Sequence, residues 1–220
     1  MKVFHVIILT LLSFFCFGQI PAPPPISLSD FLVQNINVVA VTSEGGILNI
    51  NGYSGNNFLS TRVLLTPTQV LAISKSSFRP HLSLVTIPFK VRSSIDTIPQ
   101  NVQTGLTNAG IGLNIYNYKL TRYFSSGNKS THLFGFGFIF APAAEELSPD
   151  NTRKYVNKKS KQLFVSTGVS FAYTYNDLTF MLIPAGFDFA TTTDGRNYIY
   201  NKKRWWGLGI GISTKLFGLF

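Results

Sequence analysis

The sequence predicts an all-β chain, an antiparallel up-and-down barrel of about eight strands. Three observations predict it. Large apolar residues alternate with small or polar ones, period two, over much of residues 36–220. Short turns and long polar connectors alternate along the C-terminal half. The chain also ends on "RWWGLGIGISTKLFGLF", residues 204–220, which keeps its alternation where a soluble domain usually frays into a polar tail.

The N-terminus predicts export. Met1-Lys2 is a short basic start, Val3 to Phe17 is mostly apolar, and Cys16-Phe17-Gly18 resembles a cleavage site. Residues 1–18 therefore read as a signal peptide, with Gln19 as the mature N-terminus. The apolar run is short for a membrane span of roughly 20 residues, and Phe15 is too bulky for a lipidation site at Cys16. Cys16 is the only cysteine, so the mature chain has no thiol and no disulfide. Residues 19–35 hold a proline cluster and read as an extended linker, expected in the periplasm.

The strand signal is clearest in four stretches. Trp206, Leu208, Ile210, Ile212, Leu216 and Phe220 share one face, opposite Trp205, Gly207, Gly209, Gly211 and Ser213. Leu163, Val165, Thr167, Val169, Phe171, Tyr173 and Tyr175 oppose Gln162, Ser166, Gly168, Ser170, Ala172 and Thr174, with Phe164 out of pattern. Phe134, Phe136, Phe138 and Phe140 alternate with Gly135, Gly137, Ile139 and Ala141. Ala109, Ile111, Leu113 and Ile115 alternate with Gly110, Gly112, Asn114 and Tyr116. In 83–92, Val85, Ile87, Phe89 and Val91 are expected outside and Lys90 and Arg92 inside. In 178–190, Met181, Ile183, Ala185, Phe187 and Phe189 are expected to oppose Pro184, Gly186 and Asp188. Weaker strands are expected near 36–51 and 59–74, joined by an outer loop at 52–58.

Compact turns are expected at 75–80, 125–130 and 176–178, and long polar loops at 93–106, 143–161 and 191–204. A large apolar face opposite a small or polar one suits a barrel facing lipid, whose outside must be apolar. A soluble barrel would reverse the two faces. Trp205, Trp206, Tyr173, Tyr175, Tyr123 and Phe124 fall near strand ends, where an aromatic girdle belongs.

These features resemble the small outer-membrane β-barrels of Gram-negative bacteria. The resemblance implies a transmembrane barrel over 36–220, localisation in the outer membrane, and a terminal strand ending in Phe220 that the barrel-assembly machinery reads as its signal.

Chemistry is sparse. His81 and His132 are far apart in sequence, and neither has an acid at metal-ligand spacing. No nucleophile motif stands out, so a non-enzymatic protein without a cofactor is expected. The Gly-rich "GLGIGIS" lies in a strand and does not open a helix, which rejects a phosphate loop. Lys90, Arg92 and Asp188 are the charged lumen candidates, either as an interior salt-bridge plug or as the lining of an anion path.

Lys and Arg outnumber Asp and Glu by 19 to 9, a net charge of +10. Export makes nucleic acid an unsuitable partner and points to an acidic membrane surface. Arg153, Lys154, Lys158, Lys159 and Lys161 cluster in one loop; Arg196, Lys202, Lys203 and Arg204 in another. Of these, Arg153, Lys154, Lys158, Lys159, Lys202, Lys203 and Arg204 are the candidates for touching lipopolysaccharide phosphates beside outer-membrane lipids. A monomeric structural or surface-interaction barrel is the first expectation. A small-solute channel or transporter, or an accessory of envelope assembly or protein export, are the alternatives.

Overall fold

The computed structural model describes residues 37–44, 46–95, 98–105 and 108–214. Residues 1–35, expected from the sequence to be a signal peptide and a Pro-rich linker, lie outside the described residues, as do Leu216 and Phe220. Eleven strands are present among them, in two antiparallel sheets, and the chain divides into two compact units.

One unit comprises the chain up to Leu71 together with Tyr123–Asn128. It contains β1 (Asn37–Glu44), β2 (Ile47–Ser54) and β3 (Asn57–Leu64), paired in that order. The expected strand 36–51 is thus two strands. "SEGGI" makes a turn, with Gly46 at φ 81°, which a residue bearing a Cβ disfavours. The expected loop 52–58 shrinks to Gly55-Asn56, because Ser54 already pairs with Asn57. Leu48, Ile50 and Leu65 are buried at the centre of this unit, with Val41, Leu59 and Tyr123 against them.

The second unit holds most of the larger sheet. Its strands are β4 (Val70–Ser77), β5 (His81–Arg92), β6 (Asn101–Thr104), β7 (Ala109–Phe124), β8 (Lys129–Leu147), β9 (Ser160–Tyr175), β10 (Leu178–Ala190) and β11 (Arg204–Ser213). The sheet order is β4-β7-β8-β9-β10-β11-β5-β6. Residues 81–86 of β5 also pair with 109–114 of β7. Six strands therefore close into a ring: β5, β7, β8, β9, β10 and β11. β4 and β6 extend it beside β7 and β5. The sheet does have eight strands, but they are not eight members of one ring. Residues 75–80 are no hairpin: β4 and β5 are not partners, and both lie against β7.

The period-two pattern sets the faces of β8, β9 and β11. On β8, Gly135, Gly137, Ile139, Ala141, Ala143, Glu145 and Leu147 are buried, while Phe134, Phe138 and Phe140 are exposed. On β11, Trp205, Gly207 and Gly209 are buried opposite exposed Trp206, Leu208 and Ile210. On β9, Ser166, Gly168, Ser170, Ala172 and Thr174 turn inward, and Phe164 is in phase with them. Phe164 is fully buried under the long loops, which is why it breaks the small-residue pattern.

β5 and β10 depart from the expected faces for one shared reason. Each contains a β-bulge at a proline, and a one-residue slip moves every later side chain to the other face. On β5 the pairing with β11 slips between Leu208↔Phe89 and Ile210↔Thr86, around Pro88. Val85 and Ile87 consequently point inward, and so do Lys90 and Arg92, while Phe89 stays outside against Trp206. On β10 the slip lies between Ile183 and Gly186, around Pro184. Met181 and Ile183 are buried before it and Asp188 after it, whereas Phe187 and Phe189 remain exposed. Proline has no N–H to give the ladder, so a bulge is where a strand tolerates it. β7 also shifts: Asn114 and then Asn117 face in, leaving Tyr116 on the outer face.

The interior is filled. Val85, Ile87, Ile139, Ala141, Ala172, Met181, Ile183 and Trp205 form one buried cluster. A ring of six strands leaves little width, so large side chains need glycine opposite them. A Cβ on Gly186 would run into the Trp205 indole, and one on Gly137 into the carbonyl of Leu113.

Gly186→Val is expected to destabilise the protein by about 1–3 kcal/mol through overpacking. Ala144→Val on the outer face should leave the denaturant midpoint nearly unchanged. Equal midpoints for both variants would mean that Trp205 can move away.

Candidate functional site

Polar and charged side chains from five strands meet inside the ring at Asp188: Lys90 and Arg92 from β5, Glu145 from β8, Ser166 from β9 and Trp205 from β11, with Asp188 itself on β10. The bulge at Pro184 delivers its carboxylate to the inside. Lys90 Nζ donates to Asp188 Oδ1 at 2.6 Å and to Ser166 Oγ at 3.2 Å. Ser166 Oγ donates to the same Oδ1 at 2.6 Å, and Trp205 Nε1 donates to it at 3.0 Å. Arg92 Nη2 donates to Asp188 Oδ2 at 2.8 Å and also to Glu145 Oε1. Lys90 Nζ lies 3.5 Å from Glu145 Oε1. Two cations thus meet two carboxylates, and none of the four side chains is more than 5 % exposed. The Lys90 ammonium also sits 4.6 Å from the Trp205 ring centroid, a cation–π placement.

Lys90, Arg92 and Asp188 are therefore brought together in one charge-balanced network. Glu145 completes it. Sequence reading placed Glu145 in a loop, but β8 runs on to Leu147. The signal was available: Glu145 continues the inward odd-numbered series from Gly135. Trp205 is an interior hydrogen-bond donor and is not part of a girdle.

Above this network the long loops pack together. Ala143, Leu147, Phe164, Tyr198, Ile199 and Tyr200 form a second buried cluster, with Ile95, Ile98 and Val156 against it. Ile199 N donates to Asn151 O at 3.0 Å, and Tyr200 Oη to Pro99 O at 3.2 Å. All three long loops share this cap. The Arg92 guanidinium lies 5.6 Å from the Tyr200 ring centroid and 5.8 Å from that of Tyr198. Burial pushes the Tyr198 hydroxyl above the ordinary tyrosine range, so it keeps its proton at neutral pH.

The basic loop residues are divided. Arg153 and Lys203 line a cleft of 470 Å³ with Thr152, Tyr155, Asn197 and Asn201, floored by Tyr198 and Ile199. Arg153, Lys154 and Lys202 adopt left-handed backbone conformations, φ 52°, 63° and 59°. Lys158 is exposed on the same loop as Arg153. Lys159 pairs with Glu146 at 3.2 Å on the surface, a pair worth little. Arg204 is committed elsewhere: its guanidinium donates to the Pro184 carbonyl at 3.1 and 3.3 Å, satisfying the bulge.

At the opposite end of the ring, His132 Nδ1 lies 2.8 Å from Tyr173 Oη and its Nε2 3.3 Å from Ser130 Oγ. His81 Nε2 is 3.4 Å from Ser213 Oγ. No three metal-ligating side chains meet among the described residues.

Outward, the central stretches of β8 to β11 are apolar. From Phe134 to Ala144, Leu163 to Tyr175, Leu178 to Phe189 and Trp206 to Ile212, no charged side chain faces out. Phe140, Leu163, Phe171, Phe180 and Leu208 are each 45–53 % exposed. No helix among the described residues is long and apolar enough to cross a membrane. No family model, curated protein or solved structure matches this chain.

Asp188→Asn is expected to cost roughly 3–5 kcal/mol, the penalty for breaking a buried ion pair by removing one partner. Trp205→Phe, which removes one donor to a charged acceptor, should cost about 1.5–3 kcal/mol. Denaturant unfolding followed by circular dichroism measures both. A wild-type midpoint for Asp188→Asn would show that the network contributes nothing to stability.

Proposed function

We propose that the chain is an outer-membrane β-barrel whose filled interior makes it a structural, surface-interacting barrel and not a pore. The observation that carries this reading is the outward face of β8 to β11. Aromatic and aliphatic side chains cover it without a charge, over far more area than the few hundred Å² a soluble monomer usually exposes. Its dimensions fit. Phe134 to Ala144 is ten residue steps, about 33 Å at roughly 3.3 Å per residue. A tilt of roughly 40° reduces that to about 25 Å, the height of a barrel's lipid-facing band. Glu146 and Lys161 face each other across β8 and β9 just beyond Ala144, where the band ends.

The interior speaks against a solute path. The apolar cluster, the neutral ion network and the aromatic cap lie one above another inside a narrow ring, and Lys90 and Arg92 are spent on carboxylates. In this reading the long loops face the cell exterior and carry any contact, including contact with lipopolysaccharide.

Fractionation tests the reading directly. The protein should remain with the outer membrane after a carbonate wash and should migrate differently in SDS before and after boiling. Recovery in the soluble periplasm would overturn it. In planar bilayers the purified protein should give no defined conductance steps. Val169, on the outer face of β9, is expected to cost roughly 2–4 kcal/mol when changed to Lys, if it lies near the bilayer midplane. A change of only a few tenths in refolding titrations would place that position in water.

A further inference from the structure

We infer that the cleft between the two long basic loops binds a phosphorylated saccharide, the headgroup of a phosphoglycolipid in the outer leaflet. The inference rests on the membrane reading above, because that reading puts the cleft at headgroup level.

The cleft is built, not incidental. Its two walls are residues 148–159 and 191–203. The backbone bond from Ile199 to Asn151 joins them, and Tyr198 and Ile199 are buried in the apolar cap beneath. The walls are also braced from within. Asn151 Oδ1 accepts from Ser148 N at 2.7 Å, and Thr152 Oγ1 donates to Ser148 O at 2.6 Å. Asn201 Oδ1 accepts from Ala190 N at 3.1 Å, while its Nδ2 donates to Arg196 O at 3.2 Å. A cleft fixed this way loses little entropy on binding. Its 470 Å³ falls within the roughly 300–1,000 Å³ of ligand pockets.

The lining indicates the ligand class. Arg153 and Lys203 supply positive charge, and no described lining residue is acidic. An Arg fork matches phosphate oxygens, and a Lys adds a point charge. Charge in the surrounding loops agrees. Residues 148–159 carry Arg153, Lys154, Lys158 and Lys159 against Asp150, and residues 191–203 carry Arg196, Lys202 and Lys203 against Asp194. Phosphate alone would need only the cations. Tyr155 is 58 % exposed at the cleft, and Asn197 lines it as well. An exposed aromatic face beside amides suits the flat, hydroxyl-edged ring of a sugar, since an aromatic ring is apolar on its face and the amide answers hydroxyls.

Calorimetric titration of the folded, detergent-solubilised protein tests this with three probes: N-acetylglucosamine 6-phosphate, N-acetylglucosamine and inorganic phosphate. The phosphosugar should bind at least tenfold more tightly than either part alone, and more weakly as salt rises. Arg153→Gln and Lys203→Gln should each reduce that affinity at least fivefold. Arg153→Gly, which keeps the left-handed backbone, should do the same, so a folding defect cannot explain the loss. Tyr155→Ala should remove the advantage of the phosphosugar over phosphate. Lys129→Gln, on β8 next to the 125–128 turn, should change nothing. Equal affinity for phosphate and phosphosugar would overturn the saccharide assignment, and so would no binding of any probe. A protein that fractionates with the outer membrane yet binds none of them would sink this inference alone. The lipid source is tested with nanodiscs: lipopolysaccharide in the disc should compete with the soluble phosphosugar, and absence of competition would overturn the headgroup assignment.

Discussion

The Asp188 carboxylate is the contact on which the interior depends. Its two oxygens take hydrogen bonds from Lys90, Ser166, Trp205 and Arg92, which come from β5, β9 and β11. A carboxylate without solvent is costly, and so is each cation beside it. Four charges share one site here because every charge has an opposite neighbour and further donors. The arrangement requires β5 and β10 to present charge and apolar bulk on the same side. Strict alternation cannot do that, because Ile87 and Lys90 have opposite parity, as do Ile183 and Asp188. The bulges at Pro88 and Pro184 reconcile them. The same slips put Arg204 within reach of the Pro184 carbonyl.

From this hub the interior is layered. Below lie Val85, Ile87, Met181 and Ile183, with glycines on β8, β10 and β11 making room. Above lie the rings of Tyr198 and Tyr200, over Arg92. The cap excludes water from the ion pairs, which strengthens them and raises the cost of removing either partner. Loop order and interior charge are therefore coupled. The loops dock because their tyrosines and Ile199 have an apolar seat on Phe164, Leu147 and Ala143. That seat lies against a guanidinium that is itself neutralised.

Much of this was legible in the sequence, for a definite reason. β8, β9 and β11 keep an unbroken period of two, so Phe138, Val169 and Trp206 could be assigned to a face from parity alone. β5 and β10 were misread where parity slips, although Pro88 and Pro184 marked the places. A proline inside a strand pattern points to an edge or a bulge. The first sheet was misread because the turn signal in "SEGGI" was outweighed by the apolar residues around it, which ran two strands into one. The ion network was partly visible as Lys90, Arg92 and Asp188. Glu145 was lost because the long loop was expected to begin at Ala143, whereas β8 runs on to Leu147. The cap was not legible at all, since Tyr198, Ile199 and Tyr200 carry no periodic pattern and acquire a role only when three distant loops meet.

A filled ring has consequences for what can differ between related barrels. The outward side asks only for apolar character, so Phe, Leu, Ile and Val should exchange there at small cost. The inner side is constrained residue by residue: Gly186 by the Trp205 indole, Gly137 by a backbone carbonyl, Ser166 by the carboxylate it donates to. The loop surface is constrained by neither. Its floor is fixed to the cap, but Arg153, Tyr155 and Lys203 are exposed around it. A constrained interior beneath a tolerant loop surface is the arrangement that the proposed surface-interaction role would need. Inside the ring each cation must be matched by a carboxylate, as Lys90 and Arg92 are by Asp188 and Glu145.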